Sequence, residues 1–164
     1  MAEITTLEEK LAEVTGLARA AKDLSEEVAG MVAEEDEQIA SRLRQMSEEA
    51  AETDERCSAI IDQREGRKTA ILEKAQETKS EASEMASAYL SEDSDGLDGL
   101  EFMTMAEAGE VGHWAILGKL NEKAGESEVE ELVQWALPIQ ERHFSEVKES
   151  SLQMAAEEDP NETS

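Results

Sequence analysis

The strongest helical pattern in the chain lies in residues 100–114, which read LEFMTMAEAGEVGHW. Large apolar side chains recur there at steps of three and four residues, which places them on one face of an α-helix. Glu107 falls on that same face, and His113 falls on the adjoining stripe of small and apolar residues. The stretch therefore predicts an amphipathic helix with a carboxyl group and an imidazole at the edge of its apolar surface.

The same spacing continues toward the N-terminus. It predicts a first helix over about 6–33 and further amphipathic stretches up to residue 89. We expect breaks near 33–37 and 65–68, because one helix from residue 7 to 89 would be about 125 Å long at ~1.5 Å per residue. A long coiled coil is the alternative, since the apolar phase passes Gly66 almost unbroken.

Turn-forming residues divide the C-terminal half. The segment SEDSDGLDG over 91–99 is a loop, and Gly125 ends a helix over 98–124. The last helix begins near 128 and contains Pro138, which should bend its axis. Three capping boxes are expected, at Thr6 with Glu9, Asp98 with Glu101 and Ser127 with Glu130.

These patterns define an all-α fold class. No window alternates apolar and polar residues in the manner of a strand. A length of 164 residues is enough for one domain with a modest core. We therefore expect a single helical-bundle domain over 1–156, followed by an acidic disordered tail over 157–164.

The composition is strongly acidic, with 41 Asp and Glu against 15 Lys and Arg and a net charge of −26. This balance argues against binding to nucleic acid or to an anionic membrane, because contacts to phosphate need cationic side chains. The acids are spread evenly along the helices. Such a spread favours adaptation to high salt over a concentrated face for a basic partner.

The sequence favours a cytoplasmic location. The first ten residues lack the basic and then apolar order of a secretory signal, and nowhere do 18 apolar residues run together. Cys57 is the single cysteine, so no disulfide can form within the chain. The fold must therefore be held by packing.

Two spacings in the C-terminal half are those of metal ligands. Glu110 and His113 stand three residues apart on one helix, and Gln140 and His143 repeat this spacing on the next with an amide in place of the carboxylate. A carboxylate and an imidazole at i and i+3 can bind one ion from a single helix. So acidic a chain produces such spacings by chance, and only their pairing on consecutive helices favours a metal site.

Three stretches of the C-terminal third carry a family resemblance. They are LEFMTMAEAGEVGHW over 100–114, the linker GES over 125–127 and WALPIQERHF over 135–144. They resemble the last two helices of ferritin-like domain proteins. The resemblance implies a ferritin-like four-helix bundle with an additional crossover helical segment, holding iron or manganese. The implied metal ligands are Glu107, Glu110, His113, Glu141 and His143.

Two functions agree with the sequence. The first is a ferritin-like bundle that binds iron or manganese between its C-terminal helices, with no reaction assigned. The second is a metal-free helical scaffold, whose heptad-like N-terminal half engages other helices or further copies of the chain through helical faces. The first function requires His113 and His143 to face a shared interior.

Overall fold

Five α-helices make up the protein in a computed structural model that describes residues 2–163. They are α1 (Thr6–Val32), α2 (Glu37–Ile61), α3 (Lys68–Tyr89), α4 (Gly96–Ala124) and α5 (Ser127–Ala155). No strand occurs among the described residues, so the all-α prediction is confirmed. The predicted breaks fall in the connections 33–36 and 62–67, which shows that the alternative of one long N-terminal helix is wrong.

The helix starts differ from the expected capping boxes by one to three residues. The hydroxyl of Thr5 accepts a hydrogen bond from the backbone of Glu8, and the Glu8 carboxylate accepts one from the backbone of Thr5. This box begins one residue earlier than predicted because Glu8, on the buried side of α1, also pairs with Arg64 and Arg67. Asp95 caps α4 in the same way, whereas α5 begins without a side-chain cap.

Four helices form a ring in which every neighbour is antiparallel. α1 with α2 and α4 with α5 form two hairpins, and the hairpins meet where α1 packs on α4 and α2 on α5. Gly99 at the start of α4 lies against Val28, while His113, later in α4, lies near Glu13. The order of these contacts fixes the antiparallel direction of α1 and α4, and hydrogen bonds between α2 and α5 follow the same order.

α3 crosses outside this ring and connects the two hairpins. It packs on α1 and barely touches α2. Contacts progress from Gly16 opposite Ala75 to Asp23 opposite Lys79, so α3 runs parallel to α1. The close approach depends on Gly16, where a Cβ would lie 2.8 Å from the Cβ of Thr78 and still nearer to the carbonyl oxygen of Ala75.

The core consists of two apolar clusters, one toward each end of the ring. The first is centred on residues such as Leu11, Ile61, Trp114 and Val129. The second is centred on residues such as Val28, Leu43, Met103 and Val147. On α2, α4 and α5, the buried residues between the two clusters are polar or small. The bundle therefore has a polar zone at mid-height.

The predicted tail over 157–164 lies within the described residues except for Ser164. Helix α5 continues through Pro138 to Ala155, and residues 156–163 follow it as exposed turns and coil. Among the described helices, none combines the length and the apolar character that crossing a membrane requires.

Candidate functional site

Five polar side chains lie at mid-height in the bundle, between the two apolar clusters. This polar layer consists of Glu49 from α2, Glu107 and Glu110 from α4, and Gln140 and His143 from α5. All except Glu49 are buried, and the Glu49 side chain is 19% exposed. Burial of three ionisable groups beside one amide costs free energy, so the layer is the leading candidate for a functional site.

Helical spacing brings the side chains of the polar layer into pairs. Glu107 and Glu110 are three residues apart on α4, and Gln140 and His143 are three apart on α5, so each pair shares one face. The amide of Gln140 donates to Oε2 of Glu107 and, at 3.2 Å, to Oε2 of Glu110. The amide therefore occupies the space between two carboxyl groups, where a cation would otherwise be attracted.

The two carboxyl groups on α4 hold protons more tightly than usual. Burial raises the pKa of Glu107 to about 7. Burial, together with the neighbouring Glu107, raises the pKa of Glu110 well above its ordinary value. Because two carboxylates so close together in a dry interior repel each other, the pair keeps at least one proton at neutral pH. A bound cation would compete for the same oxygens.

His143 lies between carboxyl groups from two helices. Its Nε2 is 3.2 Å from Oε1 of Glu49, and its Nδ1 is 4.0 Å from Oε2 of Glu107. Burial lowers the pKa of His143, and the Glu49 carboxylate offsets this only in part. A neutral ring that donates from Nε2 to Glu49 leaves the lone pair of Nδ1 on the side of Glu107.

Glu49 is the ionised member of the polar layer. Burial would raise the pKa of Glu49, but hydrogen bonds from Arg142 and His143 lower it below its usual range. Arg142 reaches Glu49 from α5, beside His143, and also lies 3.5 Å from Glu146. A carboxylate that holds the far nitrogen of a histidine is the arrangement that orients imidazole ligands in metal sites.

The polar layer includes three of the five ligands predicted from the sequence, namely Glu107, Glu110 and His143. His113 instead faces α1, with Nδ1 4.0 Å from Oε2 of Glu13. Glu141 is exposed. The two imidazoles therefore contact different helices and do not face one shared interior, so that prediction is wrong and a metal site in the polar layer would not include His113. Within residues 2–163, no three side chains of His, Cys, Asp or Glu lie close enough together to hold a metal ion as they stand.

Sequence reasoning missed Glu49 as a member of the site. Glu49 lies beside the apolar stripe of α2 that includes Met46, Ala50 and Thr53, and α2 contains no histidine. An acid beside a stripe is common in a chain with 41 acidic residues. Only the packing of α2 on α5, which local spacing does not reveal, distinguishes Glu49 from its neighbours.

The polar layer contains part of the ligand set that the ferritin-like resemblance implies. Acids from α2 and α4 and a histidine from α5 are present, while Gln140 takes the position of an expected carboxylate. The family assignment stays a prediction, because no family model, no curated protein and no solved structure matches this chain.

Proposed function

We propose that this protein is a ferritin-like helical bundle that binds one divalent metal ion, iron(II) or manganese(II), in its polar layer. One observation carries the proposal. The buried carboxyl group of Glu107 lies on the side of His143 opposite the Glu49 carboxylate, and the Gln140 amide joins Glu107 to a second buried carboxyl group, Glu110. Carboxylate and imidazole ligands together suit these two ions.

The topology supports the ferritin-like part of the proposal. Ferritin-like bundles contain four antiparallel helices and one long crossover between the second and third of them. Here α1, α2, α4 and α5 form such a ring, and α3 supplies the crossover. The order of helices along the chain is therefore the one expected for that fold.

The donor chemistry fits a single ion better than a pair. Glu107, Glu110 and His143 offer two carboxyl groups and one unprotonated nitrogen, and a half-turn of the Gln140 amide would present its oxygen in place of its NH₂ group. An ion bound there would replace the proton that the carboxyl pair retains and would cancel the repulsion between the two charges. Glu49 acts as a positioning residue through His143.

Elemental analysis of protein purified without chelator is the first test. We then expect the chelator-stripped protein to bind one equivalent of Mn²⁺, or of Fe²⁺ under anaerobic conditions, in calorimetric titrations. Proton release should accompany binding and should decrease as the pH rises above about 7. Two substitutions, His143→Ala and Glu107→Gln, should each weaken binding at least tenfold, while circular dichroism confirms that the helices persist.

Matched variants separate ligands from neighbours. Glu49→Gln should weaken binding by about 10- to 100-fold, the usual effect of removing the group that orients a ligating histidine. Glu141→Gln, an exposed change on the same helix as His143, should leave the affinity unchanged. If the wild-type protein binds no ion, or binds it as tightly after His143→Ala and Glu107→Gln, the polar layer is structural and the metal-free scaffold is the better description.

A further inference from the structure

A second candidate site is a groove on the outer side of the ring that reaches Glu107 and Glu110 of the polar layer. α3 and α4 both pack on α1 but do not pack against each other along their length, so a groove opens between them. At one end the ring of Tyr89 meets that of Phe102, with centroids 5.1 Å apart. The cavity has a volume of about 460 Å³. This size is within the range of small-molecule pockets, roughly 300–1,000 Å³.

The α3–α4 groove is lined mainly by apolar side chains. Its floor is α1, where the small side chains of Ala20 and Ala21 give it depth, and Ala82 lines the α3 wall. Met85 on α3 and Met105 on α4 also line it, and each is more than half exposed. Flexible methionines beside an open apolar cavity are typical of a surface that adapts to an apolar ligand.

The charges along the groove have one sign. Its lining includes the carboxyl groups of Asp23, Glu27, Glu107 and Glu110, and it includes no Lys or Arg. Lys79, outside the lining, lies 3.4 Å from Asp23, whereas the other three acids have no lysine or arginine partner among the described residues. A groove of this charge on a protein of net charge −26 attracts cations and repels carboxylates and phosphates.

His113 contributes a partly exposed imidazole to the groove lining beside Glu110. Its Nδ1 is buried on the side of α1, 4.0 Å from Oε2 of Glu13, so this nitrogen is not offered to a ligand in the groove. The groove therefore attracts a head group through its carboxyl groups rather than through His113.

We propose that the α3–α4 groove binds an amphipathic organic cation, a molecule with an apolar chain and a primary ammonium head group. The chain lies against the alanines and methionines of the groove. The head group lies by Glu107 and Glu110. This inference does not require a metal ion in the polar layer.

Calorimetric titration of the metal-free protein with n-octylammonium tests the proposal. We expect saturable binding of one equivalent, at least tenfold tighter than the binding of n-octanol or n-octanoate, which have the same chain and lack the positive charge. Glu110→Gln should reduce the preference for octylammonium over octanol. Equal affinity for all three ligands, or tighter binding of octanoate, would overturn the proposal.

Two tryptophan substitutions on α3 locate the site. Ala82→Trp fills the groove and should weaken octylammonium binding at least tenfold, whereas Ala88→Trp, an exposed change outside the lining, should not alter it. Equal effects of the two substitutions would indicate attraction to the acidic surface in general. A dimer in light scattering that Ala82→Trp dissociates would show instead that a second copy covers the groove. Either result contradicts the proposal.

The amine and metal proposals can fail separately. His143→Ala removes a proposed metal ligand but does not line the groove, so it should leave octylammonium binding intact. Conversely, Ala82→Trp should leave the metal affinity intact. The two sites share Glu107 and Glu110 but not His143, so loss of octylammonium binding after His143→Ala would contradict the placement of the ligand in the groove.

Discussion

Glu107 and His143 of the polar layer stabilise the fold in opposite pH ranges. Glu107 has a raised pKa in the folded protein, so its contribution to stability is present below its unfolded value of about 4.5 and is lost as the pH rises through about 7. His143 has a lowered pKa, so its contribution is lost as the pH falls. At neutral pH the stabilising contribution of Glu107 is therefore being lost where that of His143 is present, unless a cation is bound.

Glu107→Gln should change the pH dependence of stability in the metal-free protein. Glutamine keeps the shape of the protonated acid but does not titrate. The variant therefore does not lose the free energy of unfolding that wild type loses as Glu107 ionises between pH 4.5 and 7. Its free energy of unfolding relative to wild type should rise across that window by up to about 3 kcal/mol. Denaturant titrations at pH 5 and pH 8 with chelator measure this, with Glu141→Gln as the exposed control. If the free energy of unfolding changed equally with pH in wild type and Glu107→Gln, Glu107 would not have a raised pKa.

At the residue scale, the sequence predicted which side chains face the interior but not which residues they contact there. The apolar stripe of α4 placed Glu107 correctly, and the stripe of α5 placed His143 correctly, because both depend only on helical periodicity. The hydrogen bond between His143 and Glu49 depends on how α2 and α5 pack, and their residues are 94 positions apart. Local spacing contains no information about such a contact.

At the scale of elements, the close packing of α3 on α1 depends on one glycine. Gly16 is buried where the backbone of α3 passes over it, and a side chain there would collide with backbone atoms, which cannot rotate away. Gly30, on the same helix, has no atom within 4 Å of the position that a Cβ would take. The two glycines therefore make a matched pair for substitution.

Gly16→Ala should destabilise the protein by about 1–3 kcal/mol, the usual cost of overpacking a well-packed contact. Gly30→Ala should stabilise it by up to about 1 kcal/mol, because alanine is the better helix former and meets no neighbour. Thermal unfolding of both variants measures these changes. If Gly16→Ala were as stable as Gly30→Ala, α3 would not be packed against α1 as described.

The breaks between helices and the end of α4 were easier to predict than the residues at which the helices begin. The breaks between helices follow from the turn residues and the phase of the apolar pattern. The end of α4 follows from Gly125, whose φ is 67°. The exact cap at Thr5 rather than Thr6 depends on the long-range pairing of Glu8 with Arg64. Pro138 is exposed on α5, so the carbonyl group that it deprives of a partner can bond to water and the helix continues.

At the scale of the whole molecule, the acidic charge opposes the compact fold. The net charge of −26 is carried by helices that also pack closely, so folding brings like charges together. Ion pairs such as those of Glu8 with Arg64 and Arg67 relieve this locally, at one end of the bundle. Too few basic residues exist to pair with the rest, and dissolved ions must screen them.

Raising NaCl from 0.1 M to 2 M should therefore raise the melting temperature by about 10 °C, corresponding to roughly 3 kcal/mol for a chain of this size. Screening lengths fall from about 10 Å to less than 3 Å over this range, below the spacing of neighbouring surface acids. Near pH 4.2, the isoelectric point, the same addition should have a much smaller effect, because many of the carboxylates are then protonated. A melting temperature that does not change with salt at neutral pH would show that repulsion among the carboxylates does not destabilise the fold. Their number would then favour a basic partner over adaptation to salt.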